Sequence, residues 1–175
     1  MSGRGAVVWI TGRPAAGKST LGARLVALLR DEGVPCALLD GDEVRQALAR
    51  PAGRGPEERA GFYEALASIA ALLARQGLVS VVAATAHRRA HRDRARALAP
   101  AFVEVLVATP AEECARRDPR GLYARARAGQ TAGLPGHDEP FEEPAAPDVV
   151  AMGGEDREAA NQAAALVRAA RAGGA

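Results

Sequence analysis

Ala6-Val7-Val8-Trp9-Ile10-Thr11-Gly12-Arg13-Pro14-Ala15-Ala16-Gly17-Lys18-Ser19-Thr20 is the stretch on which the fold turns. Ala6 to Thr11 is a short, nearly unbroken apolar run, the pattern of a strand covered on both faces. Gly12 to Gly17 reads as a glycine-containing turn. A helix follows, because Leu21, Leu25, Leu28 and Leu29 recur at helical spacing until Gly33 stops it. Residues 12–19 fit G-x-x-x-x-G-K-[ST], a loop whose backbone curls around an anion. Its successive N–H groups point inward at phosphates, and the helix N-terminus behind adds positive potential. Lys18 supplies a compact charge for the β- and γ-phosphates, and Ser19 a hydroxyl for Mg²⁺. The motif consumes the only lysine in a chain that carries 22 arginines. The candidate nucleotide-binding set is therefore Gly12, Arg13, Pro14, Ala15, Ala16, Gly17, Lys18, Ser19 and Thr20, with a nucleotide and Mg²⁺ as the implied ligands.

Outward from this loop, strands and helices alternate. Pro35 to Asp40 reads as a second buried strand, Glu43 to Ala49 as a short helix, and Pro51 to Pro56 as a Gly/Pro/Arg loop. Pro56 suits the first turn of a long helix, with Glu57 and Glu58 favourable at that end. Its apolar stripe is Phe62, Leu66, Ile69 and Leu73, and Gly77 ends it. Leu78 to Ala84 is a third strand, Arg88 to Leu98 a basic helix, and Phe102 to Val107 a fourth strand, after which Pro110 opens another helix. Residues 119–147 are rich in Arg, Gly and Pro with poor periodicity, and read as a mobile flap. Val149 and Val150 suit a last short strand, and Glu155 to Arg171 a terminal helix with acid at its start and base at its end. The alternation, with the phosphate loop at its start, indicates an α/β chain with the three-layer P-loop NTPase fold, a parallel sheet with helices on both faces, as one domain over residues 1–175.

Composition narrows the function. The 175 residues bury a core without disulfides, and 42 alanines supply much of the 48% apolar content. Aromatics are 3%, too few for a stacking platform on single-stranded nucleic acid, and the net charge of +2 demands neither a nucleic-acid nor a membrane partner. Two cysteines, Cys36 and Cys114, are too few for a disulfide framework or a zinc site and read as buried small hydrophobes. No apolar run has membrane-spanning length, and Met1 to Gly5 has no secretory pattern, so the expected setting is cytoplasmic. Trp9 reads as core. Arg88, Arg89, Arg92, Arg94 and Arg96 read as a solvated helix face, with Arg89 kept aside for an anionic substrate. His87 and His91 are four apart but lack a third ligand.

Leu39-Asp40-Gly41-Asp42-Glu43-Val44-Arg45 leaves the second strand on the side where open α/β sheets bind ligands. Two carboxylates there suit Mg²⁺ through water and acceptance of a proton from an attacking hydroxyl. The same residues also read as an Asp-Gly turn whose Asp caps the next helix.

The phosphate loop, Asp40-Gly41-Asp42-x-x-Arg45, Arg117-Asp118-Pro119-Arg120-Gly121-Leu122-Tyr123-x-x-Ala126-Arg127 and Gly136-x-Asp138-x-Pro140-Phe141-Glu142 together resemble the adenylyl-sulfate kinase (APS kinase) family, in order from about residue 5 to 150. The resemblance implies transfer of the ATP γ-phosphoryl to the 3′-hydroxyl of adenosine 5′-phosphosulfate (APS), with Mg²⁺. It implies Asp42 as base or metal-side carboxylate, helped by Asp40, and Arg45, Arg59 and Arg89 as the arginines that hold the sulfonucleotide. Arg116 or Arg117 with the flap would close over ATP, and such enzymes are usually homodimers.

The departures from the family concentrate at the acceptor site. The family's Gly-Phe-Ser before the long helix aligns with Gly53-Arg54-Gly55, its second stacking phenylalanine with Leu134, and a helix asparagine with Phe62. Ser-Pro-Tyr-Arg becomes Ala86-His87-Arg88-Arg89, which leaves no serine for a phosphoserine intermediate, and Asp-Gly-Asp-Asn ends here in Glu43. Each lost ring removes about 1–3 kcal/mol of base stacking, and Arg54 offers a guanidinium plane in exchange. Two alternatives stand beside APS phosphorylation: transfer to another hydroxyl-bearing metabolite, and a nucleotide-binding module without transferase activity.

Overall fold

The computed structural model describes residues 4–48 and 55–173. The Pro51 to Pro56 loop up to residue 54, the expected helix end at Ala49 and the stacking role expected of Arg54 lie outside the described residues. Five strands form one parallel sheet in the order β2-β3-β1-β4-β5. They are β1 Ala6–Thr11, β2 Cys36–Asp40, β3 Val79–Ala83, β4 Phe102–Val107 and β5 Val149–Ala151. The helices are α1 Lys18–Asp31, α2 Gly41–Ala47, α3 Pro56–Arg75, α4 Arg89–Leu98, α5 Ala111–Arg117, α6 Leu122–Arg127 and α7 Arg157–Ala172.

The middle strand explains the three layers. Alternate residues of β1 point to opposite faces. Val8 and Ile10 join a core with Leu21, Leu25 and Leu29 of α1 and Ala160, Ala163 and Val167 of α7. Val7 and Trp9 join a second core with Phe62, Leu66 and Ala70 of α3 and Ala95 of α4. Trp9 is fully buried, as its place in an apolar run requires.

Four expectations are corrected. β2 is an edge strand and only half-buried along most of its length; a continuous apolar run reports two covered faces but not whether a strand pairs on both sides. On α3, Ile69 is exposed. The sheet-facing side is instead carried by Phe62, Tyr63, Leu66 and the alanines 67, 70, 71 and 74, whose small side chains bring the helix close to the sheet. The segment 119–147 is not without structure: it contains α6 and a knotwork of side-chain bonds described below. Arg92 is not on a solvated face; it is 1% exposed.

Arg92 is buried because every group around it accepts a hydrogen bond. Its Nε donates to Glu104 Oε1 at 2.9 Å, Nη1 to the Ala86 carbonyl at 2.5 Å and Nη2 to the Glu142 carbonyl at 2.6 Å. Glu104 on β4 also accepts from Arg96 at 2.8 Å. One guanidinium thus ties α4, β4, the segment after β3 and the end of the flap. Replacing Glu104 by Ala strands this charge in the interior, and chemical denaturation is expected to show a loss of about 3–5 kcal/mol.

Candidate active site

The loop after β1 is held in shape from several sides. Gly17 has φ +105°, a left-handed value, and a Cβ there would lie 2.7 Å from the Gly154 backbone nitrogen. Only glycine fits both conditions. The Ala16 carbonyl accepts from Thr109 Oγ1 at 2.7 Å, and the Pro14 carbonyl accepts from the Tyr123 hydroxyl at 3.0 Å. Burial pushes the Tyr123 phenol up to about 12, so it stays a donor. Lys18 begins α1 and turns its ammonium back over the loop, donating to the Gly12 and Arg13 carbonyls at 3.1 and 2.9 Å. Burial first, and the Arg120 guanidinium second, lower the Lys18 pKa from 10.5 to about 8.

Of the two readings of the Asp-Gly-Asp turn, the helix cap is seen directly. Asp40 caps α2, with one oxygen accepting from the N–H groups of Asp42 and Glu43 at 2.9 and 3.3 Å. Its other oxygen accepts from the Ser19 hydroxyl, which joins the phosphate loop to the second strand. Asp42 points from the first turn of α2 toward the flap and pairs with Arg120.

These groups surround a cavity of about 570 Å³, a size suited to a small-molecule ligand. Pro14, Lys18, Ser19 and Thr20 of the phosphate loop and α1, Asp40 and Asp42, Arg45, and Arg59, Phe62 and Tyr63 of α3 all line it, with Leu134. Arg117 of α5 and Arg120 of the flap line it too. Gly12, Arg13 and Ala16 belong to the loop but not to the cavity wall; Arg13 lies 5.4 Å from the Phe141 ring and pairs with Glu143.

Two expected residues are elsewhere. Arg89 bonds to the flap end, through Nε to the Glu143 carbonyl at 2.8 Å and through its N–H to Glu142 at 2.7 Å. Arg116 is held in a bidentate pair by Glu113 at 2.8 Å on the exposed side of α5, because successive helical residues face different directions. Arg117 is the one of that pair at the cavity, although its Nε also donates to Glu113. His87 and His91 pack against each other with ring centroids 5.7 Å apart, and His87 Nε2 bonds Glu139 at 2.8 Å. Sequence reasoning did not find Arg120, Tyr63, Tyr123 or Glu139. The Arg-Asp-x-x-Gly-Leu-Tyr pattern marked Tyr123 and spanned Arg120 without showing what their side chains touch. Phe62 reads in the sequence as part of the helix's apolar stripe and as a departure from the family; its ring lines the cavity with the Arg45 guanidinium 3.8 Å from its centre.

The match to known proteins follows the same residues. Residues 4–152 match the model of the adenylylsulphate kinase family. The chain belongs to that family. It is 43% identical over 148 residues to the adenylyl-sulfate kinase of Paraburkholderia xenovorans strain LB400, covering 84% of this chain and 83% of the relative. It is 41% identical over 150 residues to an adenylyl-sulfate kinase from Synechococcus, covering 86% of each. The APS kinase of Mycobacterium tuberculosis, solved in complex with AMPPNP and APS, superposes with a TM-score of 0.86 and 35% identity, over 95% of this chain and 99% of that one. Membership makes this chain a kinase and answers the alternative of a binding module without transfer chemistry.

Burial lowers the pKa of both His87 and His91 below 6.5, against the upward pull of Glu139 on the first. The unfolded chain then binds more protons than the folded one as pH falls through 6.5, so stability rises with pH across that range. Thermal unfolding at pH 7.5, 6.5 and 5.5 is expected to show Tm falling toward the acid side, with His87→Asn flattening the trend.

Proposed function

We propose that this adenylyl-sulfate kinase transfers the ATP γ-phosphoryl to the 3′-hydroxyl of APS, with the donor phosphates at the Lys18 end of the cavity and the sulfonucleotide at the Arg45–Arg59 end. The observation that carries this reading is that one cavity is lined by Lys18 and Ser19 of the phosphate loop, by the Asp42 carboxylate and by the Arg45 and Arg59 guanidiniums. Phosphoryl transfer runs through a loose transition state, so the protein contributes positioning and charge. Backbone N–H groups of residues 13–19 and the Lys18 ammonium bind the phosphates. Arg120 brings a second cation from the flap, and its pairing with Asp42 keeps that carboxylate oriented until a hydroxyl arrives. Asp42 then accepts the hydroxyl proton as the oxygen attacks phosphorus. Arg45 and Arg59 hold the anionic acceptor, and Leu134 forms its apolar wall.

The donor set fits Mg²⁺. Among the described residues no cluster of three or more His, Cys, Asp and Glu forms a cage, whereas the Ser19 hydroxyl and Asp40 carboxylate meet at the phosphate loop. Mg²⁺ is commonly held by phosphate oxygens, water and one or two protein oxygens. Ser19 would ligate it and Asp40 would hold its water; when bound, it neutralises charge on the phosphates.

The rest of the reading is a single kinase domain in the cytoplasm that acts as a homodimer on a small-molecule anionic acceptor, without nucleic-acid or membrane partners. Among the described residues no helix is long and apolar enough to cross a membrane, and Ile69 and Leu72 of α3 are exposed apolar surface that a second copy would cover. One observation favours a second acceptor reading: the guanidinium of Arg45 occupies a face of Phe62, a ring that is absent from the family pattern. Another anionic alcohol would then replace APS. Product formation with APS and with a panel of phosphorylated alcohols separates the two.

Asp42→Asn is expected to lower kcat by about 10²–10⁴-fold, with MgATP affinity by calorimetry nearly unchanged; near-normal kcat removes Asp42 from the proton transfer. Nucleotide binding requires the Lys18 ammonium, whose pKa in the free protein is about 8. MgATP Kd is therefore expected to be flat below pH 8 and to rise up to about tenfold per pH unit above it.

A further inference from the structure

Behind the acceptor end of the cavity lies a polar cluster that the phosphoryl-transfer scheme leaves unused. Glu139 Oε2 accepts from Arg59 Nη1 at 2.6 Å, and Arg59 Nη2 donates to the Gly133 carbonyl at 2.9 Å. Glu139 Oε1 accepts from His87 Nε2 at 2.8 Å and from Arg88 Nη2 at 3.4 Å. The Arg59 side chain is 10% exposed, Glu139 19% and His87 3%. An ionised carboxylate only accepts, so His87 donates through Nε2, which leaves its buried Nδ1 without a partner. That single bond sets the ring.

The cluster also closes the loop that carries Leu134. The Glu139 N–H donates to the Leu134 carbonyl at 3.3 Å, and the Gly136 N–H to the Glu139 carbonyl at 2.7 Å. Asp138 accepts from the N–H groups of Gly133 and Leu134 at 2.7 and 2.6 Å. Glu139 therefore fastens two parts of the acceptor wall at once: the Arg59 guanidinium on α3 and Leu134 on the 133–139 loop. One departure from the family pattern meets this bond: His87 stands where the pattern has Pro. The Glu139 carboxylate spans from Arg59 to a ring that proline would not supply.

We infer that Glu139, braced by His87, is a positioning residue for the acceptor: it orients Arg59 and latches the 133–139 loop against the core so that the anion-binding N–H groups and the apolar wall are in register before substrate arrives. This rests on the reading of Arg59 as an acceptor residue. Of the five guanidinium donors, Glu139 and Gly133 take one each in the bonds above, and Arg59 still lines the cavity. A buried guanidinium that loses its carboxylate is left uncompensated and turns elsewhere. The donor end shares none of these bonds.

Steady-state kinetics of full-length E139Q, R59A and the double variant, with APS and MgATP varied separately, tests the latch. E139Q keeps the shape and removes the charge. It is expected to raise the KM for APS about tenfold, with kcat and the KM for MgATP within about twofold, the pattern of lost ground-state binding on one substrate. E139D is expected to recover part of the loss. The double variant is expected to be no worse than R59A, because Glu139 acts through Arg59. H87N, which removes the brace, is expected to give a smaller rise in the KM for APS alone, and it decides the matter if E139Q does not fold. Absence of APS-dependent turnover in the parent enzyme, or an unchanged KM for APS in R59A, overturns the function on which the latch depends. R59A raising that KM while E139Q and H87N leave it unchanged overturns the latch alone. Equal losses on both substrates, or additive effects in the double variant, also overturn it, because they mark a general structural role.

Discussion

A loop that binds phosphate through its backbone works only if that backbone cannot relax onto itself. The stretch from Gly12 to Ser19 is fixed by its surroundings as well as by its own bonds. Gly17 packs against Gly154 too closely for any side chain, Thr109 holds the Ala16 carbonyl, and Tyr123 holds that of Pro14. Those anchors come from the segment after β5, the segment after β4 and the flap. The anion site is therefore a product of the whole sheet, and the fully buried β1 beneath it is the rigid base. The cost of arranging N–H groups around charge is met on folding, so little reorganisation is needed when a nucleotide binds.

The flap serves the same end. In Arg117-Asp118-Pro119-Arg120-Gly121-Leu122-Tyr123, each described contact has a separate task. Asp118 accepts from the N–H groups of Tyr123 and Ala124 at 3.1 and 2.9 Å, which caps the short α6. Gly121, at φ +64°, turns the chain into that helix. Tyr123 then reaches the phosphate loop and Arg120 reaches Asp42. A segment that looks aperiodic along the chain is ordered by contacts across the fold, because its bonding partners lie up to 109 residues away.

That distinction also governs what the sequence disclosed. The parallel α/β fold, the phosphate loop and the Asp40–Asp42 turn were legible because they are local: apolar runs, helical spacing and a glycine motif all report on neighbours in the chain. Arg45, Arg59, Leu134 and Arg117 were placed at the cavity by resemblance, and the structure puts them there. Arg92 was misread because its amphipathic position on α4 does not reveal that Glu104 and two carbonyls converge on it. Arg89 and Arg116 were misdirected for a related reason: in a chain with 22 arginines, residue type alone does not choose which guanidinium faces a cavity and which a neighbouring carboxylate. Ile69 lost its expected place to alanines, whose part in packing is invisible on a hydrophobicity scale that rewards size.

Divergence in this kinase is distributed in a way that chemistry explains. Recognition of a triphosphate by backbone N–H groups and one ammonium tolerates almost no change of geometry. A wall built from arginines and apolar surfaces can exchange one contact for another. Phe62 returns an aromatic ring to the site from α3, covered by Arg45, while Leu134 supplies an apolar face where the family pattern has a ring. A guanidinium stacked on an aromatic keeps its charge and gives up one flat face to the ring. The cavity wall then keeps its charge pattern and changes its material, and that change of material is what bears on the choice between APS and another anionic alcohol.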